Sequence, residues 1–159
     1  MKRIGIISDS HHSKENLIKV SSKLKDVDMI LHLGDNIEDC DILASILGVE
    51  VYGVLGNCDE GKDGLKEQII NVEGKKIFMT HGHKYNVKHS LNRLFYKALE
   101  IKADIVLFGH SHYALHAVED NMIFFNPGSI TSPRGSVDKS YGILEIDEKL
   151  INIHHEILE

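Results

Sequence analysis

Five times along the chain, a short apolar run stops at a tight cluster of Gly, Asp, Asn, Ser or His. The runs cover residues 4–7, 29–33, 51–55, 76–80 and 105–108. The clusters that end them are Asp9-Ser10-His11, Gly34-Asp35, Gly56-Asn57-Cys58-Asp59, His81-Gly82-His83 and Gly109-His110-Ser111-His112. Short apolar runs bounded in this way read as buried strands. In open α/β sheets, ligands bind outside the carboxyl ends of the strands. Five clusters in that position are therefore expected to gather on one sheet edge, where their glycines permit tight turns and close backbone approach.

The segments between the clusters complete the outline. Ser13 can cap a helix running to about residue 25, with Leu17, Val20 and Leu24 at helical spacing. A second helix is expected over 39–47, with Gly48 placed to stop it. Three strand–cluster–helix units in succession argue for a mainly parallel sheet. After a loop at 60–67, the texture turns strand-rich. Residues 68–72 and 76–80 flank Glu73-Gly74-Lys75 as a hairpin, and 114–118 and 122–125 form another about Asp120-Asn121. Residues 90–101 read as a helix with Leu91, Leu94, Phe95 and Leu99 on one face, and strands at 141–146 and 150–157 close the chain about Asp147-Glu148-Lys149. Neither a repeat nor a linker divides the sequence, so one domain over residues 1–159 is expected: two packed sheets with helices outside.

Composition excludes several classes. The net charge is −6, the wrong sign for capture of long nucleic acid, whose affinity comes largely from Lys and Arg meeting phosphates. No apolar run approaches the roughly 20 residues of a membrane span, and the run after Met1-Lys2-Arg3 stops at Asp9, too soon for a signal peptide. Cys40 and Cys58 give no disulfide framework, which points to a reduced, cytoplasmic setting. Eleven histidines are a high count for this length.

The order of the clusters resembles the calcineurin-like metallophosphoesterase superfamily, and within it the small single-domain phosphodiesterases. The pattern D-x-H, G-D, G-N-x-[DE], H and G-H-x-H is complete here between Asp9 and His112, and the likeness extends to about Arg134. The resemblance implies a four-layer αββα sandwich of two mixed β-sheets flanked by helices. It also implies two divalent ions, one held by Asp9, His11, Asp35 and His112. The other would be held by Asp35, Asn57, His81 and His110, with Asp35 bridging. His110 and His112 would then serve different ions. Carboxylate, amide oxygen and imidazole suit Mn²⁺ foremost, with Ni²⁺, Fe²⁺ or Zn²⁺ as alternatives. The implied reaction is hydrolysis of a small phosphodiester by a metal-bridging hydroxide, with Asp35, Asn57 and His81 at the reacting centre.

One position departs from the pattern. Many members carry His directly after the Asn, as proton donor to the leaving oxygen, and here that residue is Cys58. A thiol is a poor acid near neutral pH, so good leaving groups are expected to turn over faster. Asp59 is expected to orient a ligand by a hydrogen bond, and His83 to steady its loop or touch substrate. Arg134, after Asn126-Pro127-Gly128-Ser129, is a candidate phosphate anchor. His12, His32, His89, His116, His154 and His155 lack motif support and read as solvated or structural; Cys40 reads as a small apolar residue on a helix.

Two other functions fit the same residues. A protein-sorting scaffold subunit shares this fold without competent catalysis, so the fold alone does not certify an enzyme. A phosphomonoesterase or nucleotide hydrolase is the rival among enzymes. An apolar edge in the second half would support a homodimer.

Overall fold

A computed structural model describes residues 1–134 and 138–159. The first sheet contains β1 (Lys2–Ile7), β2 (Met29–His32) and β3 (Glu50–Gly53), which run parallel, extended by the antiparallel pair β9 (Ser140–Ile146) and β10 (Ile151–Ile157). Its strand order is β10-β9-β1-β2-β3. The second sheet, ordered β4-β5-β6-β8-β7, contains β4 (Glu67–Val72), β5 (Lys75–Thr80), β6 (Ile105–Leu107), β7 (Leu115–Glu119) and β8 (Met122–Asn126). Helices α1 (Lys14–Lys23) and α2 (Asp39–Leu47) cover the first sheet, and α3 (Asn92–Ile101) covers the second.

Strand alternation builds the layers. Ile4 and Ile6 of β1 join Leu31, Ile77, Leu107, Phe125 and Leu144 in a core drawn from both sheets. Ile7 points the other way, with Leu17, Val20, Leu24 and Leu43 of the helical layer. Phe78, Val106 and Phe124 meet Leu94 and Ala98 of α3. Three apolar seams between four layers make the αββα sandwich. Each fully buried Leu or Ile contributes roughly 1.5–3 kcal/mol. Most of that apolar mass lies below the carboxyl ends of β1, β2, β5 and β6.

Three details differ from the sequence reading. The third strand–cluster–helix unit has no α-helix: a 3-10 turn at Asn57–Asp59 leads into the loop expected at 60–67. The Gly61-Lys62-Asp63-Gly64 stretch carries no helical apolar stripe, and the Leu55 amide donates to the Leu65 carbonyl at 2.8 Å. In α3, Leu94 and Ala98 are buried while Leu99 is 40% exposed, because the stripe follows the 94–98 row. The closing hairpin joins the first sheet beside β1, so the sequentially distant β9 completes the sheet that β1 begins. The expected stops hold elsewhere. Ser13 accepts from the Asn16 amide, and Gly48 ends α2 at φ 67°. Asp120 and Asn121 both turn at positive φ between β7 and β8.

Candidate metal centre

The two carboxylates after β1 and β2 have divided surroundings. Asp9 Oδ2 accepts from Ser8 Oγ at 2.6 Å and from the His110 amide at 3.1 Å. Asp9 Oδ1 is buried and, among the described residues, accepts no hydrogen bond, although Nε2 atoms of His112, His11 and His81 lie 3.2, 3.8 and 3.8 Å away. Asp35 repeats the arrangement. Its Oδ1 accepts from the Cys58 amide at 3.0 Å, and its Oδ2 faces Nε2 of His81 at 3.3 Å and of His11 at 3.7 Å. A buried anionic oxygen without a donor is costly unless a cation satisfies it.

The imidazoles are set to supply lone pairs. His81 Nδ1 lies 2.7 Å from the Leu33 carbonyl, and His112 Nδ1 lies 2.6 Å from the Ser132 carbonyl. A carbonyl only accepts, so each Nδ1 carries the proton and each Nε2 turns a lone pair inward. Nε2 of His112 comes within 3.1 Å of His11 Nε2, and Nε2 of His81 within 3.1 Å of Asn57 Oδ1. Asp9, His11, Asp35 and His112 each offer one atom within 4.8 Å of the others. Metal–ligand bonds of about 2.0–2.2 Å give shell edges of roughly 3.0–3.5 Å, close to the spacings here. Oxygen and imidazole donors without thiolate suit a borderline divalent ion. The residues fit a metal.

Electrostatics points the same way. Burial pushes the Asp35 carboxyl up, but the close approach and charge of His81 outweigh it and hold the group well below the carboxylate range. Burial lowers His81, yet Asp35 and Asp9 carry it above its ordinary value. The close approach of the Asp9 carboxylate raises His112 despite burial. This cage draws positive charge. His110 behaves oppositely, since burial and then the charges of His81 and Lys88 lower it to about 4.

Backbone strain concentrates here. Asp9, His11, His12, Asp35, Asn36, His110 and His112 all have positive φ, between 45° and 90°. Non-glycine residues adopt that region at a cost, and such residues cluster at functional sites. Gly34 (φ 103°) lets the β2 turn pass the β3 turn: a Cβ there would sit 2.7 Å from His81 Nδ1 and 2.8 Å from the Gly56 nitrogen. Asp59 ties those turns together. Its Oδ2 accepts from the Asp35 and Gly56 amides at 2.9 Å, and its Oδ1 from the Asn36 and Ile37 amides at 2.8 and 2.9 Å.

The remaining candidates from the sequence lie around this cage. His110 is outside the four-residue group, its ring 5.1 Å from that of His81 and 6.0 Å from that of His83. The ring of His112 lies 4.9 Å from that of His11 at a 49° tilt, so the two histidines of the Gly109–His112 turn have different ring neighbours. Cys58 exposes its thiol, which burial and then Asp35 push up. His83 keeps a buried Nδ1 without a partner. Arg134 is exposed, and its amide donates to the His112 carbonyl at 3.0 Å.

Several supporting residues escaped the sequence reading. Ser10 Oγ donates to Asp39 and contacts His32 Nε2 at 3.2 Å, while His32 Nδ1 accepts from the Gly34 amide at 3.1 Å. His32 is fully buried in this network, beneath the β2 turn. Ser129 Oγ donates to the Asp9 carbonyl at 2.8 Å, and Asn126 Nδ2 donates to the Gly109 carbonyl at 3.2 Å. Their only signal was proximity to motifs, Ser10 within D-x-H and Asn126 in the Asn-Pro-Gly-Ser turn.

Comparison with known proteins gives the family. Residues 1–149 match the model of the calcineurin-like phosphoesterase superfamily domain. The chain is 37% identical over 144 residues to the probable metallophosphoesterase YsnB of Bacillus subtilis, covering 89% of this chain and 83% of that protein. It is 30% identical over 108 residues to the phosphodiesterase YfcE of Escherichia coli, covering 62% of this chain and 54% of that one. Among solved structures, a predicted phosphoesterase from Streptococcus pneumoniae superposes with TM-score 0.84 at 29% identity, covering 98% and 89% of the two chains. A Vps29 mutant from Entamoeba histolytica superposes with TM-score 0.83 at 25% identity, covering 98% and 92%. The chain belongs to the calcineurin-like phosphoesterase superfamily.

Proposed function

We propose that this chain is a phosphodiesterase dependent on two divalent ions, with manganese the favoured metal and nickel, iron or zinc as alternatives. The observation that carries the reading is the pair of carboxylates, each with one oxygen tied by amides and the other turned toward Nε2 lone pairs. In this reading Asp9, His11, Asp35 and His112 hold one ion, and Asp35, Asn57, His81 and His110 hold the other. Bound divalent ions would supply Lewis acidity, activating water and stabilising charge on phosphoryl oxygens. Two such ions against two carboxylates leave the centre positive, which favours a phosphodiester monoanion on a chain of net charge −6.

The chain's own groups do the positioning. The Leu33 carbonyl fixes the His81 ring, and the Cys58 amide fixes Asp35. Asn57, exposed beside His81 Nε2, presents its carboxamide to phosphoryl oxygens as their charge develops. The thiol after Asn57 is a weak acid, so the leaving oxygen takes its proton from solvent and aryl esters are favoured. A homodimer and a cytoplasmic setting belong to the same reading.

The test is hydrolysis of bis-p-nitrophenyl phosphate and p-nitrophenyl phosphate after chelation, with Mn²⁺, Ni²⁺, Zn²⁺ and Mg²⁺ restored separately. The diester should be hydrolysed faster, and only with a metal present. Preference for the monoester would favour a phosphomonoesterase. Inactivity with every metal would favour a binding role, the reading that the likeness to Vps29 supports.

A further inference from the structure

A cavity of about 380 Å³ opens beside the centre and shares Asn57 with it. Its other walls include Leu55, Lys66, His83 and Lys84. Lys62 also lines it but is held by Glu38 at 2.7 Å. Lys66 and Lys84 carry no ion pair among the described residues. Asp59 reaches the wall too, with both carboxylate oxygens committed to backbone amides. Glu60 is therefore the one lining acid left uncommitted. His83 joins cavity to centre, its ring 5.4 Å from that of His81.

Lys66 and Lys84 thus put two ammonium groups without an ion pair among the described residues on the walls of one groove, beside Asn57. Like charges brought together repel, and they become favourable when an anion sits between them. The volume matches a ligand fragment of several rings or a sugar phosphate. From this we infer that the groove is a subsite for a second phosphate, carried on one ester arm of the diester. Lys66 and Lys84 pair with that phosphate while the diester lies at Asp9 and Asp35. The substrate class is then a phosphodiester bearing a further phosphomonoester, as in a 3′-phosphorylated nucleotide ester. This rests on the phosphodiesterase reading and narrows it.

The test compares two chromogenic esters that differ by one group: the p-nitrophenyl ester of thymidine 5′-monophosphate and that of thymidine 3′,5′-bisphosphate. Exposed lysine–phosphate pairs give a preference, read as the ratio of kcat/KM values, of roughly fivefold to twentyfold for the bisphosphate at low salt. In Lys66→Ala/Lys84→Ala the ratio should fall to about one. Glu60→Gln should raise it, a gain that damaged folding cannot produce. Calorimetric titration with thymidine 3′,5′-bisphosphate and thymidine 5′-monophosphate reads the same difference without turnover. A wild-type ratio near one, or a ratio unchanged in the double variant, overturns the subsite while leaving the phosphodiesterase intact. Inactivity of the wild type on both esters and on bis-p-nitrophenyl phosphate would instead overturn the phosphodiesterase.

Discussion

Replacing Asp59 with Asn keeps the shape of a buried side chain while removing its charge and half of its acceptors. The carboxylate receives four amides, from Asp35, Asn36, Ile37 and Gly56, all at 2.8–2.9 Å. An Asn oxygen can keep two of them, but its NH₂ then faces the other two donors. Each hydrogen bond to a charged group contributes about 1.5–3 kcal/mol, so losing two costs roughly 3–6 kcal/mol. A chain of this length loses about 2–4 °C of Tm per kcal/mol, so the expected fall is roughly 6–24 °C. Thermal unfolding followed by circular dichroism measures it. The pH dependence gives a second check. Burial raises Asp59, yet the four amides outweigh it and leave its folded pKa depressed. Its contribution is therefore fully present above the unfolded carboxylate value near 4 and is lost as pH falls through the lower folded value. The gap between wild type and Asp59→Asn should close on acidification below about pH 4. A Tm change under about 2 °C at neutral pH would refute the assignment of this carboxylate as the clamp between the β2 and β3 turns.

The remaining predictions concern turnover. Wild type should cleave p-nitrophenyl diesters at least about tenfold faster than alkyl diesters, and Cys58→His should narrow that gap, by the usual 10²–10⁴ scale of acid catalysis at most. No gain on alkyl esters in steady-state assays would remove Cys58 from any part in leaving-group chemistry. Arg134→Ala should raise KM for a diester roughly twofold to fivefold with little change in kcat, as for loss of one exposed charged contact. An unchanged KM would leave Arg134 only its amide contact to His112.

Much of this fold was written in local pattern. Ile4–Ile7 and Ile105–Leu107 are almost wholly apolar because both faces of their strands are covered, and the clusters after them mark where the covering ends. Gly48 and Asp120-Asn121 announced their turns through backbone conformations that few residues adopt cheaply. The pairing of β9 with β1 was not legible, since nothing in a strand names a partner more than a hundred residues away. The third unit has no helix because a polar cluster marks only the end of a strand; a helix beyond it needs an apolar stripe, which the loop residues 60–64 lack. At the site, residue types could suggest donors. They could not reveal that one oxygen of Asp9 is bare, or that His32 is buried under the β2 turn, because both depend on contacts between distant loops.

How many ions this cage holds is the central question, and counting them answers it most directly. Chelated protein titrated calorimetrically with Mn²⁺ should bind two equivalents per chain. His110→Ala and His112→Ala should each retain one, with different affinities, because the ring of His110 neighbours His81 while that of His112 neighbours His11. One equivalent in the wild type, or loss of the same site in both variants, would contradict the two-ion centre.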